Sequence, residues 1–149
     1  MIPRYRLAEF KDFTIMKRLL YQIDKTFPIP LSKKIDLDVL ADKFLKKGYV
    51  YMALNGGLPV GMVGFYANNM VGRRAYISVV GVIEEYQHQG IAKKMVNESL
   101  AVCKEKGMTS CFLYTHKSNI GAIAMYQKLG FVAEEDPDRP HDIKFVKEL

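Results

Sequence analysis

Cysteine is scarce in this chain of 149 residues, which contains only Cys103 and Cys111. Two cysteines are too few for a disulfide framework, and neither has another Cys or a His at the spacing of a metal-binding motif. We therefore expect two reduced, mostly buried thiols and no bound metal.

Long apolar runs are also absent. No uninterrupted apolar stretch approaches the ~20 residues that a transmembrane helix needs. The first residues, MIPRYRLAEFKDF, lack the long apolar segment and the following small residues of a secretory signal. The sequence predicts a soluble, cytoplasmic protein with no membrane partner.

Acidic residues are fewer than basic ones, 16 against 22, so the net charge is +6 at pH 7. A basic balance can indicate an anionic partner, but it is also common on ordinary solvated surfaces. The lysines are dispersed and are not interleaved with aromatic residues, as a nucleic-acid groove would require. We therefore expect no nucleic-acid partner.

No linker rich in proline, glycine or serine divides the chain, and its length is typical of one domain, so we predict a single domain over residues 1–149. Apolar periodicity predicts an α/β fold with a mixed sheet of six or seven strands. The predicted helices are 12–24, 36–48, 90–106 and 119–129. The predicted strands are 5–7, 49–54, 59–67, 75–83, 110–115, 131–133 and 142–146.

Three local signals refine these elements. Gly48 is predicted to end the second helix in the left-handed C′ conformation. Asn55 and Gly56 are predicted to supply the positive φ angles of a hairpin turn. The strand 75–83, AYISVVGVI, is almost continuously apolar, which predicts a central position in the sheet.

The stretch YQHQGIAKKM, residues 86–95, stands between a buried strand and a helix. The first turn of a helix carries unpaired N–H groups and partial positive charge, which together favour an anion. Gly90 would let a phosphate approach the backbone, Ala92 would keep the next turn clear, and Lys93 would add charge. An ordinary strand-to-helix connection is the alternative, because neither GxxxxGK[ST] nor GxGxxG is present.

Two motifs carry a family resemblance. The segment from Gln87 to Ala92 resembles the Gln/Arg-x-x-Gly-x-Gly/Ala signature of the GCN5-related N-acetyltransferases, the GNAT family. NIGAIAMYQKLGF, residues 119–131, resembles that family's Asn-x-x-Ala-x-x-Leu-Tyr-x-x-Leu-Gly-Phe. The predicted order of elements also matches. The resemblance implies the GNAT acyl-CoA N-acyltransferase fold, with a mixed sheet splayed at its central strands and four helices.

The same resemblance implies that acetyl-CoA is the co-substrate. Backbone N–H groups from Gln87 to Ala92 would hold the pyrophosphate, and Val80 and Val82 would pair with the pantetheine arm as an added strand. Lys94 and Lys117 are expected to be solvated. The implied cofactor residues are Val80, Val82, Gln87, His88, Gln89, Gly90, Ile91, Ala92, Lys93, Asn119 and Tyr126.

Tyr126 resembles the family tyrosine that protonates the departing thiolate as a general acid. It shares a helical face with Ala122 and Met125, so a purely structural place in the core is the alternative. Histone-type members carry a glutamate at the position of Tyr76, and that departure weakens a histone-acetyltransferase interpretation. Candidate bases are Glu84, acting through water, and His116 at the end of the next strand.

The resemblance implies an N-acetyltransferase that acts on a primary amine of a small molecule, such as an amino sugar or amino acid, by direct attack in a ternary complex. Substrate-binding candidates are Phe27, Tyr66, Asn68 and Tyr76. Two alternatives remain open: acetylation of a protein or peptide amine, and a non-catalytic CoA-binding sensor module. The chain is expected to act as a monomer or homodimer.

Overall fold

A computed structural model describes residues 5–149 of the chain. Over this range it contains four α-helices and seven β-strands. The helices are α1 (Phe13–Asp24), α2 (Leu37–Lys47), α3 (Ile91–Glu105) and α4 (Ile120–Lys128). The strands are β1 (Arg6–Glu9), β2 (Tyr49–Asn55), β3 (Leu58–Tyr66), β4 (Arg74–Val82), β5 (Ser110–His116), β6 (Val132–Glu134) and β7 (Asp142–Glu148).

The strands form one mixed sheet in the order β1-β2-β3-β4-β5-β7-β6. The β4–β5 pair is parallel, and the other neighbouring pairs are antiparallel. β4 is the fourth of seven strands, so the prediction that the apolar strand is central is confirmed. The mixed α/β fold with four helices is confirmed as well.

The sheet is covered on both faces. Met62 belongs to a core cluster with α1 and α2, whereas the next residue, Val63, belongs to a cluster with α3. Neighbouring residues of a strand point to opposite faces of a sheet, so the two clusters lie on opposite sides. Burial on both faces explains why β3 and β4 are so strongly apolar.

The two central strands separate halfway along their length. β4 and β5 are paired only from Arg74 opposite Ser110 to Ile77 opposite Leu113. Beyond these pairs β4 continues to Val82 beside β3, while β5 continues to His116 beside β7. The separation leaves a gap in the middle of the sheet, as the resemblance implied.

Aspartate side chains cap the first two helices. Asp12 accepts from the N–H of Ile15, and Asp36 accepts from the N–H groups of Asp38 and Val39. Side-chain caps of this kind satisfy N–H groups that the helix leaves unpaired. The two helices therefore begin where the apolar pattern predicted, with N-caps at residues 12 and 36.

The prediction for Gly48 is wrong. Its φ of −125° is extended, because β2 begins at the next residue. Glycine is required there for space: a Cβ would lie 2.9 Å from Cε1 of Tyr66 and 3.0 Å from the carbonyl oxygen of Phe65. The hairpin turn is also shifted by one residue, because Gly56 and Gly57 carry the positive φ angles.

No helix within residues 5–149 has the length and apolar character needed to cross a membrane.

Candidate active site

The glycine turn connects β4 to α3. A short 3-10 turn, Glu84–Tyr86, is followed by His88 at φ +65° and Gly90 at φ +81°. Gly90 is the N-cap of α3. In the first hydrogen bond of the helix, the N–H of Lys94 donates to the carbonyl oxygen of Gly90 at 3.2 Å. The N–H groups of Ile91, Ala92 and Lys93 therefore have no intrahelical acceptor, as at any helix start.

Gln87 has a different role from the predicted one. Its N–H donates to the carbonyl oxygen of Glu84 at 3.2 Å, so it is already used inside the turn. Its side-chain amide donates to the carbonyl oxygen of Val82 at 3.1 Å. The expected set of anion-binding N–H groups is thereby reduced to residues 88–92 of the predicted segment.

The open edge of β4 has main-chain groups that face the gap. The N–H of Ile83 donates to the carbonyl oxygen of Val60 on β3 at 2.8 Å. Alternate residues of an antiparallel strand turn their polar groups to opposite sides, so the groups of Val80 and Val82 point away from β3. Gln87 reaches Val82 from that side, in agreement with this alternation.

One cavity lies beside the glycine turn and is named the turn cavity. Its volume is about 400 Å³. Gln89 does not line it, and its side-chain oxygen accepts a hydrogen bond from the hydroxyl of Tyr5. The predicted cofactor residues that do line the turn cavity are Val80, Val82, Gln87, His88, Gly90, Ile91, Ala92, Lys93, Asn119 and Tyr126.

A second cavity, the gap cavity, lies along β4 and β5 where the two strands separate. Its volume is about 350 Å³. It continues from the turn cavity, because five residues line both: Phe27, Val80, Asn119, Ala122 and Tyr126. The place where the cavities meet is therefore bounded by β4, by α4 and by the connection between α1 and α2.

Tyr126 stands at this meeting point. Its side chain is only 5% exposed and its ring packs edge-on against Phe131, with centroids 5.6 Å apart. Burial, with a smaller contribution from Cys111, raises the pKa of the Tyr126 phenol well above its ordinary value of 10. The phenol is therefore neutral at physiological pH and retains its proton.

Asn119 caps α4. Its side-chain oxygen accepts from the N–H of Ala122 at 3.3 Å. The amide is thus fixed at the start of α4, between the two cavities.

Stacked aromatic rings form one wall of the gap cavity. Tyr66 lies between Phe44 and Tyr76, with ring centroids 5.4 and 6.3 Å away, and Tyr76 stacks on Phe112 at 4.8 Å. Within residues 5–149 the buried hydroxyl of Tyr66 has no hydrogen-bond partner. Burial, with a contribution from Tyr76, raises the pKa of Tyr66 to about 12.

Arg139 closes the gap cavity from the connection between β6 and β7. Its guanidinium carbon lies 3.6 Å from the ring centroid of Tyr114. Nε and Nη2 donate to Oδ2 of Asp142 at 3.0 and 2.9 Å. Burial opposes its charge, but the bond to Asp142 and the carboxylate charge outweigh burial and raise the pKa of Arg139.

The two candidate bases differ in position. His116 lines the gap cavity, and its Nδ1 lies 2.7 Å from the hydroxyl oxygen of Ser118 and 3.1 Å from the main-chain nitrogen of the same residue. Glu84 is exposed in the 3-10 turn and lines neither cavity. The structure therefore does not bring Glu84 to the site.

Among the substrate-binding candidates, Phe27, Tyr66 and Tyr76 line the gap cavity. Asn68 does not. Its side chain is exposed, its amide donates to the carbonyl oxygen of Lys47, and its oxygen accepts from the hydroxyl of Tyr49 at 3.3 Å. It holds the start of β2 instead.

Sequence reasoning missed several lining residues: Lys34, Lys43, Tyr114, Arg139 and Asp142. Tyr114 could have been found, since it lies two residues before the candidate His116 on β5 and shares its face. No local pattern marks Arg139 in the segment DPDRP as part of a site. Across residues 5–149 the structure contains no group of three His, Cys, Asp or Glu side chains that could hold a metal ion.

A mixed sheet that opens between parallel central strands, with a glycine turn and a cavity at the opening, defines an acyl-CoA N-acyltransferase fold. The chain belongs to the Acetyltransferase (GNAT) family, whose sequence profile matches residues 17–131. The family resemblance read from residues 87–92 and 119–131 is thereby confirmed.

Two curated relatives show what the chain is similar to. N-alpha-acetyltransferase 50 of Danio rerio is 33% identical over 107 residues, which cover 70% of this chain and 61% of the relative. Spermidine N(1)-acetyltransferase of Thermoplasma acidophilum is 30% identical over 74 residues, which cover 50% of this chain and 46% of the relative. The chain thus spans less than two thirds of either relative.

Solved structures agree on the fold. The PaiA N-acetyltransferase of Thermoplasma acidophilum, crystallised in complex with coenzyme A, superposes with a TM-score of 0.73. The match covers 97% of this chain and 99% of that one, at 18% identity. At this identity the likeness extends to the fold alone.

Proposed function

We propose that the chain is an acetyl-CoA-dependent N-acetyltransferase that acetylates the primary amine of a small molecule by direct attack in a ternary complex. The observation that carries the proposal is the junction at Tyr126, where the turn cavity and the gap cavity meet. One cavity has the groups that suit a CoA thioester, and the other offers room for an amine beside it.

Acetyl-CoA fits the turn cavity. The N–H groups from His88 to Ala92 suit the pyrophosphate, because α3 is 15 residues long and presents its positive end there. The gap-facing carbonyl oxygen of Val80 and N–H of Val82 suit the amides of the pantetheine arm, which would pair as a short strand, while the Val82 carbonyl oxygen already accepts from Gln87. Lys93 lines the same cavity and adds positive charge.

The chemistry requires three contributions from the protein: a donor for the thioester oxygen, a proton for the departing thiolate, and a site that keeps the attacking amine neutral. A donor must stabilise the negative charge that develops on the thioester carbonyl oxygen. The gap-facing N–H of Val80, at the junction, is suited to that. As the C–N bond forms and the C–S bond breaks, Tyr126 is suited to give its proton to the sulfur. A phenol whose pKa is raised is a weak acid, but the thiolate in the same dry place is a correspondingly stronger base.

The attacking amine must be neutral. Lys34, Lys43 and Arg139 line the gap cavity, and their charges favour the unprotonated form of a bound amine. His116 remains a candidate to receive the amine proton, in the tautomer in which Nδ1 donates to the Ser118 hydroxyl and Nε2 is the acceptor. Glu84 is not proposed, since it lies outside both cavities.

The size of the gap cavity favours a small acceptor. About 350 Å³ lies at the lower end of the range for small-molecule sites, and residues of the α1–α2 connection and Arg139 bound it. The similarity to N-alpha-acetyltransferase 50 favours a second candidate, the terminal amine of a peptide or protein. Such an acceptor would need this cavity only for its first residues.

The test is thiol release from acetyl-CoA in the presence of an amine panel that includes amino acids, amino sugars, polyamines and short peptides. Saturable turnover with a small amine supports the proposal, and turnover with peptides alone supports the second candidate. Saturable CoA binding without turnover across the panel would instead indicate a sensor module. We further propose a cytoplasmic location, in keeping with the free buried thiols of Cys103 and Cys111.

A further inference from the structure

The charges that line the gap cavity are unbalanced. They comprise three cationic side chains, Lys34, Lys43 and Arg139, and one carboxylate, Asp142. These cations are not part of the turn cavity, which has its own lysine, Lys93, and its own N–H groups. The positive charge in the gap cavity is therefore available for a second ligand.

The single carboxylate is already neutralised. Oδ2 of Asp142 accepts two hydrogen bonds from Arg139, and the Asp142 side chain is only 12% exposed. Because Arg139 and Asp142 match each other's charge at short range, Asp142 offers little net attraction to a positively charged acceptor, and the excess positive charge of the cavity is that of Lys34 and Lys43. Lys34 and Lys43 have no matching carboxylate among the residues that line the cavity.

Hydrogen-bond donors stand beside these charges. The Nζ of Lys43 lies 5.1 Å from the ring centroid of Tyr66, and the buried hydroxyl of that tyrosine has no partner in the described part of the chain. The guanidinium plane of Arg139 is held by stacking on Tyr114 and by the two hydrogen bonds to Asp142. Those two bonds come from Nε and Nη2 and do not use Nη1. A rigid guanidinium and an unpaired phenol are groups that carboxylates and phosphates accept from.

We propose that the acceptor is an amine that carries an anionic group, a carboxylate or a phosphate, held in the gap cavity by Lys43, Arg139 and the hydroxyl of Tyr66. The inference rests on the proposed N-acetyltransferase function. It selects one class of amine among those that the function admits, and it excludes polyamines as preferred acceptors.

The experiment compares acceptors that differ only in charge. β-Alanine is paired with β-alaninamide, glucosamine is paired with its phosphate monoester, and spermidine is the cationic probe. Each kcat/KM is expressed per unprotonated amine, so that the different amine pKa values do not decide the comparison. We expect the anionic member of at least one pair to exceed its neutral partner by about tenfold or more, and the advantage to shrink as salt is raised.

Variants test whether the preference for the anionic acceptor comes from the cations of the gap cavity. Lys43→Gln removes one cavity cation, whereas Lys46→Gln, one turn away on α2 and paired with Asp42 at 2.8 Å, makes the same change in net charge outside the cavity. We expect the preference for the anionic acceptor to fall about tenfold in Lys43→Gln and to stay unchanged in Lys46→Gln. The double variant R139Q/D142N removes the guanidinium donor at unchanged net charge and without leaving a carboxylate unpaired, so it tests the contribution of the hydrogen bonds of Arg139.

The outcomes separate the two proposals. Efficient turnover of the neutral members or of spermidine, with no gain from the anionic group, would overturn the inference and leave the N-acetyltransferase function standing. An equal loss of preference in Lys46→Gln would show a long-range field rather than a site, and would also overturn it. Saturable acetyl-CoA binding without turnover of any amine would remove the proposed function, and the inference with it.

Discussion

The side-chain amide of Gln87 donates a 3.1 Å hydrogen bond to the carbonyl oxygen of Val82. Val82 ends β4, and its main-chain groups face the gap that β5 leaves. This bond fixes the glycine turn to the open edge of the sheet. The N–H groups at the start of α3 and the exposed edge of β4 are thereby held as one unit, which a ligand that spans both requires.

Gln87→Ala is expected to weaken CoA binding about fivefold. A typical intramolecular hydrogen bond contributes about 1 kcal/mol, and its loss would free the turn from β4. Titration calorimetry with CoA measures the change. Gln87→Arg is the matched control, because a long donor side chain can still reach Val82. Equal affinity in the wild type and Gln87→Ala would mean that the turn is held by other contacts.

Gly90→Glu is expected to abolish measurable CoA binding while the fold is retained. Gly90 has φ +81° and open space around its Cβ position, so a side chain there would project unhindered and a carboxylate would repel the pyrophosphate. Gly57→Glu is the matched control, since Gly57 has φ +88° and is equally open, but lies in the β2–β3 turn.

Both glycine variants bear the same backbone strain, so their losses in melting temperature should be similar. Only Gly90→Glu should lose binding. Loss of CoA affinity in both variants would assign the effect to general destabilisation, and unchanged affinity in Gly90→Glu would remove the glycine turn from the proposed site.

The elements of the fold could be predicted because their signals are local. Apolar periodicity depends on residues within a few positions, and the first two helices begin with N-caps at Asp12 and Asp36 as it predicts. Gly48 marks the limit of this reasoning. A glycine after a helix has two explanations, a left-handed cap or a close approach, and only the distant Tyr66 and Phe65 decide between them.

The residues of the site likewise divide into those that the sequence could predict and those that it could not. Much of the turn cavity could be predicted because most of its residues lie in two contiguous motifs, 86–95 and 119–131, whereas Thr26 comes from the distant connection between α1 and α2. The charged wall of the gap cavity could not, since Lys43 on α2 and Arg139 before β7 are about a hundred residues apart. What brings them together is the separation of β4 from β5, and no short segment encodes that separation.

Tyr126→Phe is expected to lower kcat by ten- to a hundredfold with little change in either KM. The variant keeps the ring that packs against Phe131 and Phe145, and removes only the proton donor. Because the pKa of Tyr126 is raised above 10, its ionisation should not limit kcat at any pH below about 10. Steady-state kinetics across pH measure both effects.

Tyr21→Phe serves as the control for the loss of a phenol, because Tyr21 is exposed on α1 and lines neither cavity at the sheet opening. A kcat for Tyr126→Phe within a factor of two of the wild type would make Tyr126 a core residue, as its helical pattern alone allows.

Tyr66→Phe is expected to leave the free energy of unfolding unchanged or raise it by up to about 1 kcal/mol, while raising the KM of the acceptor. The hydroxyl of Tyr66 is buried without a partner, so its removal relieves a desolvated polar group. Tyr49→Phe is the contrasting variant, because the Tyr49 hydroxyl bonds to Asn68 and its loss should cost stability.

The pH dependence of Tyr66→Phe has a definite sign. The folded pKa of about 12 exceeds the ordinary value of 10.0, so folding favours the neutral phenol. That contribution is complete below pH 10 and is lost as the pH rises towards 12. Urea unfolding over this range should therefore show a shallower loss of stability in Tyr66→Phe than in the wild type. An equally steep loss would mean that the hydroxyl is solvated in the folded protein, and a clear destabilisation at neutral pH would mean that it is already hydrogen-bonded; either result would contradict a buried hydroxyl without a partner.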